Sequence, residues 1–167
     1  MRRLISAAIA VFTVTAGAMA CQRGELPEHD ESTRSEAGAI IDEGELGVFA
    51  LAVGDCLGKL PTGDGVMLGA VQGVRCDQPH DGQVYGAYDV TMAEYPGDDV
   101  MFEVALDGCL ERVPATIHDE WTASDVYVPF MLQPNSQSWK YDDREVICVV
   151  VRIDGRPITG DLLGSDA

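Results

Sequence analysis

Apolar and polar positions alternate in several short stretches of this chain. Residues 83–90 set Val84, Tyr88 and Val90 on one side and Tyr85, Ala87 and Asp89 on the other, and Gly86 leaves a gap that predicts a bulge. Residues 49–53 alternate Phe49, Leu51 and Val53 with Ala50 and Ala52, a strand pattern that Gly54-Asp55-Cys56 turns. Residues 66–76 mix Val, Met and Leu with glycines and predict an irregular strand after the loop Pro61-Thr62-Gly63-Asp64-Gly65. Residues 125–133 predict a strand through Val126, Val128, Phe130 and Leu132, with Pro129 placing it at a sheet edge. Residues 145–153 are apolar on both faces, Val146, Cys148 and Val150 on one and Ile147, Val149, Val151 and Ile153 on the other, so this strand belongs in the middle of a sheet.

One stretch has the helical period instead. After the turn Tyr95-Pro96-Gly97-Asp98, either Asp98 or Asp99 can cap free N–H groups. Phe102, Leu106, Cys109, Leu110 and Val113 then share a face, Glu103, Asp107 and Glu111 share another, and Pro114 ends the run. Cys109 points to the core on this reading. Together the patterns predict an α+β fold: a mostly antiparallel sheet of four to six strands with one long helix packed on it.

The flanks differ in character. Met1-Arg2-Arg3 is followed by an uncharged apolar run over residues 4–20, the pattern of a signal peptide and short for a spanning helix. It ends Ala18-Met19-Ala20-Cys21, small residues ahead of a cysteine, which resembles the lipid-attachment box of bacterial lipoproteins. Ala18 stands where that box usually has leucine, and an ordinary secretory leader cut near Ala20 is the competing reading. Residues 21–45 are expected to be the lipidated Cys21 and a flexible acidic tether, too poor in apolar surface to offset chain entropy. Such a coil would span roughly 27 Å. The domain is expected over residues 46–153, and a polar, frayed tail over 154–167.

Charge narrows the function classes. The 167 residues carry a formal charge of −17, and loss of a leader holding Arg2 and Arg3 would leave about −19. That surface disfavours nucleic acid, whose recognition needs a basic face. Membrane contact would run through the lipid anchor and not through headgroups, which repel it.

The ordered cysteines and their neighbours carry a resemblance. Gly54-Asp55-Cys56, then Cys76-Asp77-Gln78-Pro79-His80 entering a strand, Tyr95-Pro96-Gly97, Cys109 in a helix, and Trp139 ahead of Asp143-Arg144-Glu145 and Cys148 are similar to the septum-formation domains of high-GC Gram-positive cell envelopes. The match covers about residues 49–151. Gln83 stands where an acidic residue is usual, and Asp142 where glycine is usual before Asp-Arg. The resemblance implies an anchored extracytoplasmic protein linked to division and wall synthesis, and it brings no catalytic activity.

Cys56, Cys76, Cys109 and Cys148 form an even set once Cys21 is set aside, as expected outside the cytoplasm. Four cysteines allow three pairings. We expect Cys56–Cys76, joining neighbouring strands, and Cys109–Cys148, joining the helix to the central strand. No Cys-x-x-Cys spacing or calcium-loop spacing is present, so no metal or other cofactor is expected. His80 with Asp81 and Asp55 is a candidate general base or binding site; the same residues also suit a hydrogen-bonded turn beside a disulfide. Trp139, Asp143 and Arg144 are a candidate binding patch for glycan or protein; a Trp at a loop edge also serves as a lid over a core. The expected function is a lipid-anchored, non-enzymatic binding or scaffold module on the outer face of the cytoplasmic membrane. Its partner would be a cell-envelope or divisome protein, or wall glycan. The alternative is an envelope hydrolase, or a glycan or small-molecule binder, with its site around His80.

Overall fold

The computed structural model describes residues 33–60, 69–115, 117 and 126–164. The leader, Cys21, the loop over 61–65, His118 and Trp121 lie outside these residues. Among the described residues the strands are β1 (Thr33–Arg34), β2 (Ile40–Asp42), β3 (Gly44–Gly47), β4 (Cys56–Leu57), β5 (Ala70–Val74), β6 (Gly82–Asp89), β7 (Tyr127–Leu132) and β8 (Glu145–Arg152). The helix α1 spans Asp98–Leu110, between β6 and β7. Strands β3 to β8 form one six-stranded antiparallel sheet in the order β3-β5-β4-β6-β8-β7, and β1 and β2 form a separate hairpin. The fold is α+β, with the disulfides Cys56–Cys76 and Cys109–Cys148 in place.

Strand β8 explains the layering. Successive side chains of a strand point to opposite faces. Val146, Cys148 and Val150 join Met101, Ala105 and Cys109 of α1 in one buried cluster, while Ile147 and Val149 join Leu46, Leu57, Val71 and Val84 in another. Both faces of the sheet are therefore covered. β7 pairs only with β8 and is an edge strand, where Pro129 removes no needed ladder donor.

The bulge at Gly86 is present as a register shift between Val84 and Gly86. It changes which residues share a face. Val84 belongs to the cluster away from the helix, whereas Tyr85, Tyr88 and Val90 all pack on the helix side. The expected grouping of Val84 with Tyr88 and Val90 fails because one extra residue reverses the alternation beyond it.

Helix α1 is turned relative to its largest side chains. Met101, Ala105 and Cys109 are buried, while Phe102 and Leu110 are 50% and 46% exposed. Small residues face the sheet because the helix lies close to it: a Cβ on Gly108 would stand 2.0 Å from the Tyr88 hydroxyl, which donates to the Val104 carbonyl.

Three further expectations are corrected. Residues 49–53 form no strand; Val48–Ala50 is a 3₁₀ turn, and Phe49 and Val53 are exposed. The backbone there is taken by side chains: the Ala50 carbonyl accepts from Arg34 and the Ala52 N–H donates to Asp55, so no ladder can use them. The acidic stretch assigned to a tether contains β1, β2 and the start of β3, and buries Ile40 beside Leu46. Residues 154–164 of the expected tail are not frayed, for Ile158 and Leu163 are buried; residues 165–167 lie outside the described residues.

Candidate functional site

One corner of the sheet gathers the residues that open β6. Gly54 turns the chain at φ 100°, and its N–H donates to the Val84 carbonyl. Beside it Asp55 is 3% exposed; its carboxylate accepts from both guanidinium ends of Arg34, at 2.5 and 2.8 Å, and from the Ala52 N–H. The Cys56–Cys76 bridge ties β4 to the residue that begins the Cys76-to-His80 turn. Cys76 is partly exposed, and Cys56 is fully buried.

His80 and Asp81 hold this turn in place. The Asp81 N–H donates to the Leu57 and Gly58 carbonyls, and Asp81 Oδ2 accepts from the Leu60 N–H at 3.1 Å. His80 is 1% exposed and its Nδ1 lies 2.8 Å from the Gln78 carbonyl oxygen. That oxygen can only accept, so Nδ1 carries a proton and donates to it. Nε2 is buried with no hydrogen-bond partner among the described residues. The backbone of His80 pairs reciprocally with Ile158, its N–H donating at 3.0 Å and its carbonyl accepting at 2.7 Å.

Sequence reasoning marked Gln83 only as a departure from the family pattern and gave it no role. It is fully buried, and its amide spans two segments. Nε2 donates to the Gly54 carbonyl at 3.2 Å and to Asp161 Oδ1 at 2.7 Å, while Oε1 accepts from the Leu162 N–H at 2.8 Å. These partners fix which end of the amide is nitrogen. An acidic residue at this position would set a carboxylate against Asp161. The available signal was a single glutamine between Gly82 and Val84 at the head of a buried strand.

The other candidate cluster lies elsewhere. The Val90 N–H donates to the Arg144 carbonyl just past the far end of β6. Eight residues of strand put the Trp139 group roughly 25 Å from His80. Trp139 is 7% exposed, with the Arg144 guanidinium carbon 3.6 Å from its ring centroid and Tyr95 edge-on at 5.5 Å. Arg144 donates to the carbonyls of Trp139 and Asp143, and Asp143 accepts from the Glu145 N–H. The ring face is closed to a stacked sugar, and the group packs as a lid. The Tyr95 hydroxyl is pushed up to about 12 by burial and by its hydrogen bond to Asp98. Burial, then Asp89 and Asp143, raise the Glu145 carboxyl. Asp142, next to this group, has φ 64°, the left-handed backbone that glycine adopts most freely.

Among the described residues no group of three or more His, Cys, Asp or Glu side chains is placed to hold a metal ion, and no helix is long and apolar enough to cross a membrane. Compared with protein-family models, curated proteins and solved structures, the chain matches none.

Proposed function

We propose that this chain is a lipid-anchored, non-enzymatic binding or scaffold module on the outer face of the cytoplasmic membrane, serving cell-envelope or septal processes. The observation that carries this reading is the pairing of Cys56, Cys76, Cys109 and Cys148 in two disulfides, which leaves Cys21 as the odd cysteine. Structural disulfides persist in oxidising compartments. A cysteine after an apolar leader then has a role as an acyl acceptor, and two or more acyl chains give stable attachment. The septal assignment rests on the resemblance of the cysteine and Pro-His pattern.

The non-enzymatic part draws support from where the candidate groups are engaged. Asp55 is held by Arg34, and Asp81 binds a backbone N–H. His80 Nδ1 is bonded to a carbonyl and not to a carboxylate. A general base needs an orienting partner and reach to a substrate proton.

Mass spectrometry of the protein from membranes tests the anchor. The expected result is an acylated N-terminal Cys21 peptide, with Cys21→Ala appearing in the soluble fraction. An unmodified Cys21 in a membrane-free protein would end the anchored reading. Cross-linking in intact cells tests the second half: a reproducible envelope partner is expected, and turnover of wall fragments by purified protein would replace the scaffold with an enzyme.

A further inference from the structure

Residues 158–163 run across the corner described above as a strap. Their attachments have the form of a bound peptide more than of a strand. Ile158 pairs with His80 in a single isolated antiparallel bridge, the mode by which extended ligands add to a sheet. The Gly160 N–H donates to the Cys76 carbonyl at 2.8 Å. Ile158 and Leu163 are buried on either side of the polar contact. That contact is two-pronged: the Gln83 amide takes the Asp161 carboxylate with its nitrogen and the next backbone N–H with its oxygen. A fully buried amide is costly unless its hydrogen bonds are made. The chain turns at positive φ at Gly155 before the strap, at Gly160 within it and at Gly164 after it.

We infer that this corner is a peptide-binding site and that residues 158–163 are its ligand in cis. The partner it fits is a protein segment with an apolar residue at the Ile158 position, a glycine turn two residues on, a carboxylate at the third and two apolar residues after that. The Gln83 amide reads the carboxylate together with the N–H that follows it. This inference deepens the binding-module reading and rests on it for the claim that the partner is an envelope protein.

The test inserts a protease site between Gly155 and Arg156 in the full chain, which is folded first and then cut. A fluorescent peptide of residues 156–164 is added. We expect saturable replacement of the cut strap, and at least tenfold weaker binding by a peptide carrying Asp161→Ala. An Asp161→Asn peptide keeps the accepting oxygen and should bind within about threefold of the parent. A strap that never exchanges, or loss of amide protection in β6 and β8 when it leaves, would make it part of the fold and overturn the inference. Equal binding of the Asp161→Ala peptide would overturn the role of Gln83. Uncut chains that exchange straps into dimers and refuse the peptide would name a second copy as the occupant instead.

The uncut Asp161→Ala chain gives the second measurement, which does not depend on the insertion. It should take the parent peptide at least tenfold more tightly than wild type, with faster exchange of the Gly160 N–H. No peptide binding despite free exchange, or a Gly160 N–H as protected as in wild type, would overturn the inference. Failure here with an envelope partner still cross-linked would leave the scaffold reading standing and move its binding surface elsewhere.

Discussion

Asp55 is a charge that the fold has taken out of water, and Arg34 is what makes that tolerable. The side chain of Arg34 comes from β1, 21 residues earlier, and reaches both carboxylate oxygens. Removing one member of a buried pair leaves the other uncompensated, which costs about 3–5 kcal/mol. Arg34 is itself 21% exposed at its side chain and Asp55 keeps the Ala52 N–H, so the low end applies. Arg34→Met should lower the unfolding free energy by about 3 kcal/mol, read as a lower denaturant midpoint at unchanged slope. A loss below ~1 kcal/mol would mean the pair is a surface contact in energetic terms. Glu145 presents the opposite case. It faces Asp89 across the β6–β8 ladder, and burial together with Asp89 and Asp143 raises its carboxyl. An acid raised in the folded state favours folding only while protonated. Its contribution falls as pH climbs from the unfolded value, about 4.3, through the raised one. Glu145→Gln should therefore melt slightly higher than wild type at pH 7 and with it at pH 3. A gap of equal size at both values would assign the effect to something other than charge.

At the level of elements, the two disulfides differ in access. Loop closure makes Cys56–Cys76, 20 residues apart, worth about 3 kcal/mol and Cys109–Cys148, 39 apart, about 4 kcal/mol. Cys109 and Cys148 are wholly buried between α1 and β8, whereas Cys76 is partly open. Thiol exchange needs a sulfur that can be attacked. Graded reductant followed by alkylation and peptide mapping should label Cys56 and Cys76 first, and the other pair only once denaturant is present. Simultaneous labelling of all four would contradict this order. The same elements tell what a sequence can disclose. β6, β7, β8 and α1 were legible because six to thirteen residues are enough to display a period. β1, β2 and β3, of two to four residues, display none, and their acidic composition pointed to a tether. What holds them is tertiary: Ile40 and Leu46 entering the core, and Arg34 reaching Asp55. The helix existed as read, with Cys109 in the core, but Phe102 and Leu110 of the expected face are exposed, since close approach favours Ala105 and Gly108. At the site, His80 and Asp81 could be singled out by type and spacing. Gln83 could not, because its importance comes from residues 161 and 162, nearly eighty positions away.

Across the whole molecule, the two cores meet in β8. Alternate residues of one strand serve clusters on opposite faces, so β8 cannot leave without opening both. β6, paired with β8 along its length, is bound to the same event. The periphery is different. The β1–β2 hairpin forms its own two-stranded sheet, and the strap shares only one β-bridge, its other attachments being the Gly160–Cys76 hydrogen bond, the Gln83 contacts and Leu163 in the core cluster beneath α1. Stability in such a molecule is graded, with local openings at the edge and global unfolding at the centre. Native-state hydrogen exchange should give β6 and β8 amides the full unfolding free energy and the same denaturant slope as global unfolding. The Gly38 and Gly160 amides should exchange through smaller openings with shallow slopes. Were residues 33–42 as slow as β8, the hairpin would belong to the central unit, and the Arg34–Asp55 pair would be fastening it there. Were β8 as fast as the strap, the two clusters could not both depend on it, and the cooperative unit would have to lie elsewhere in the sheet.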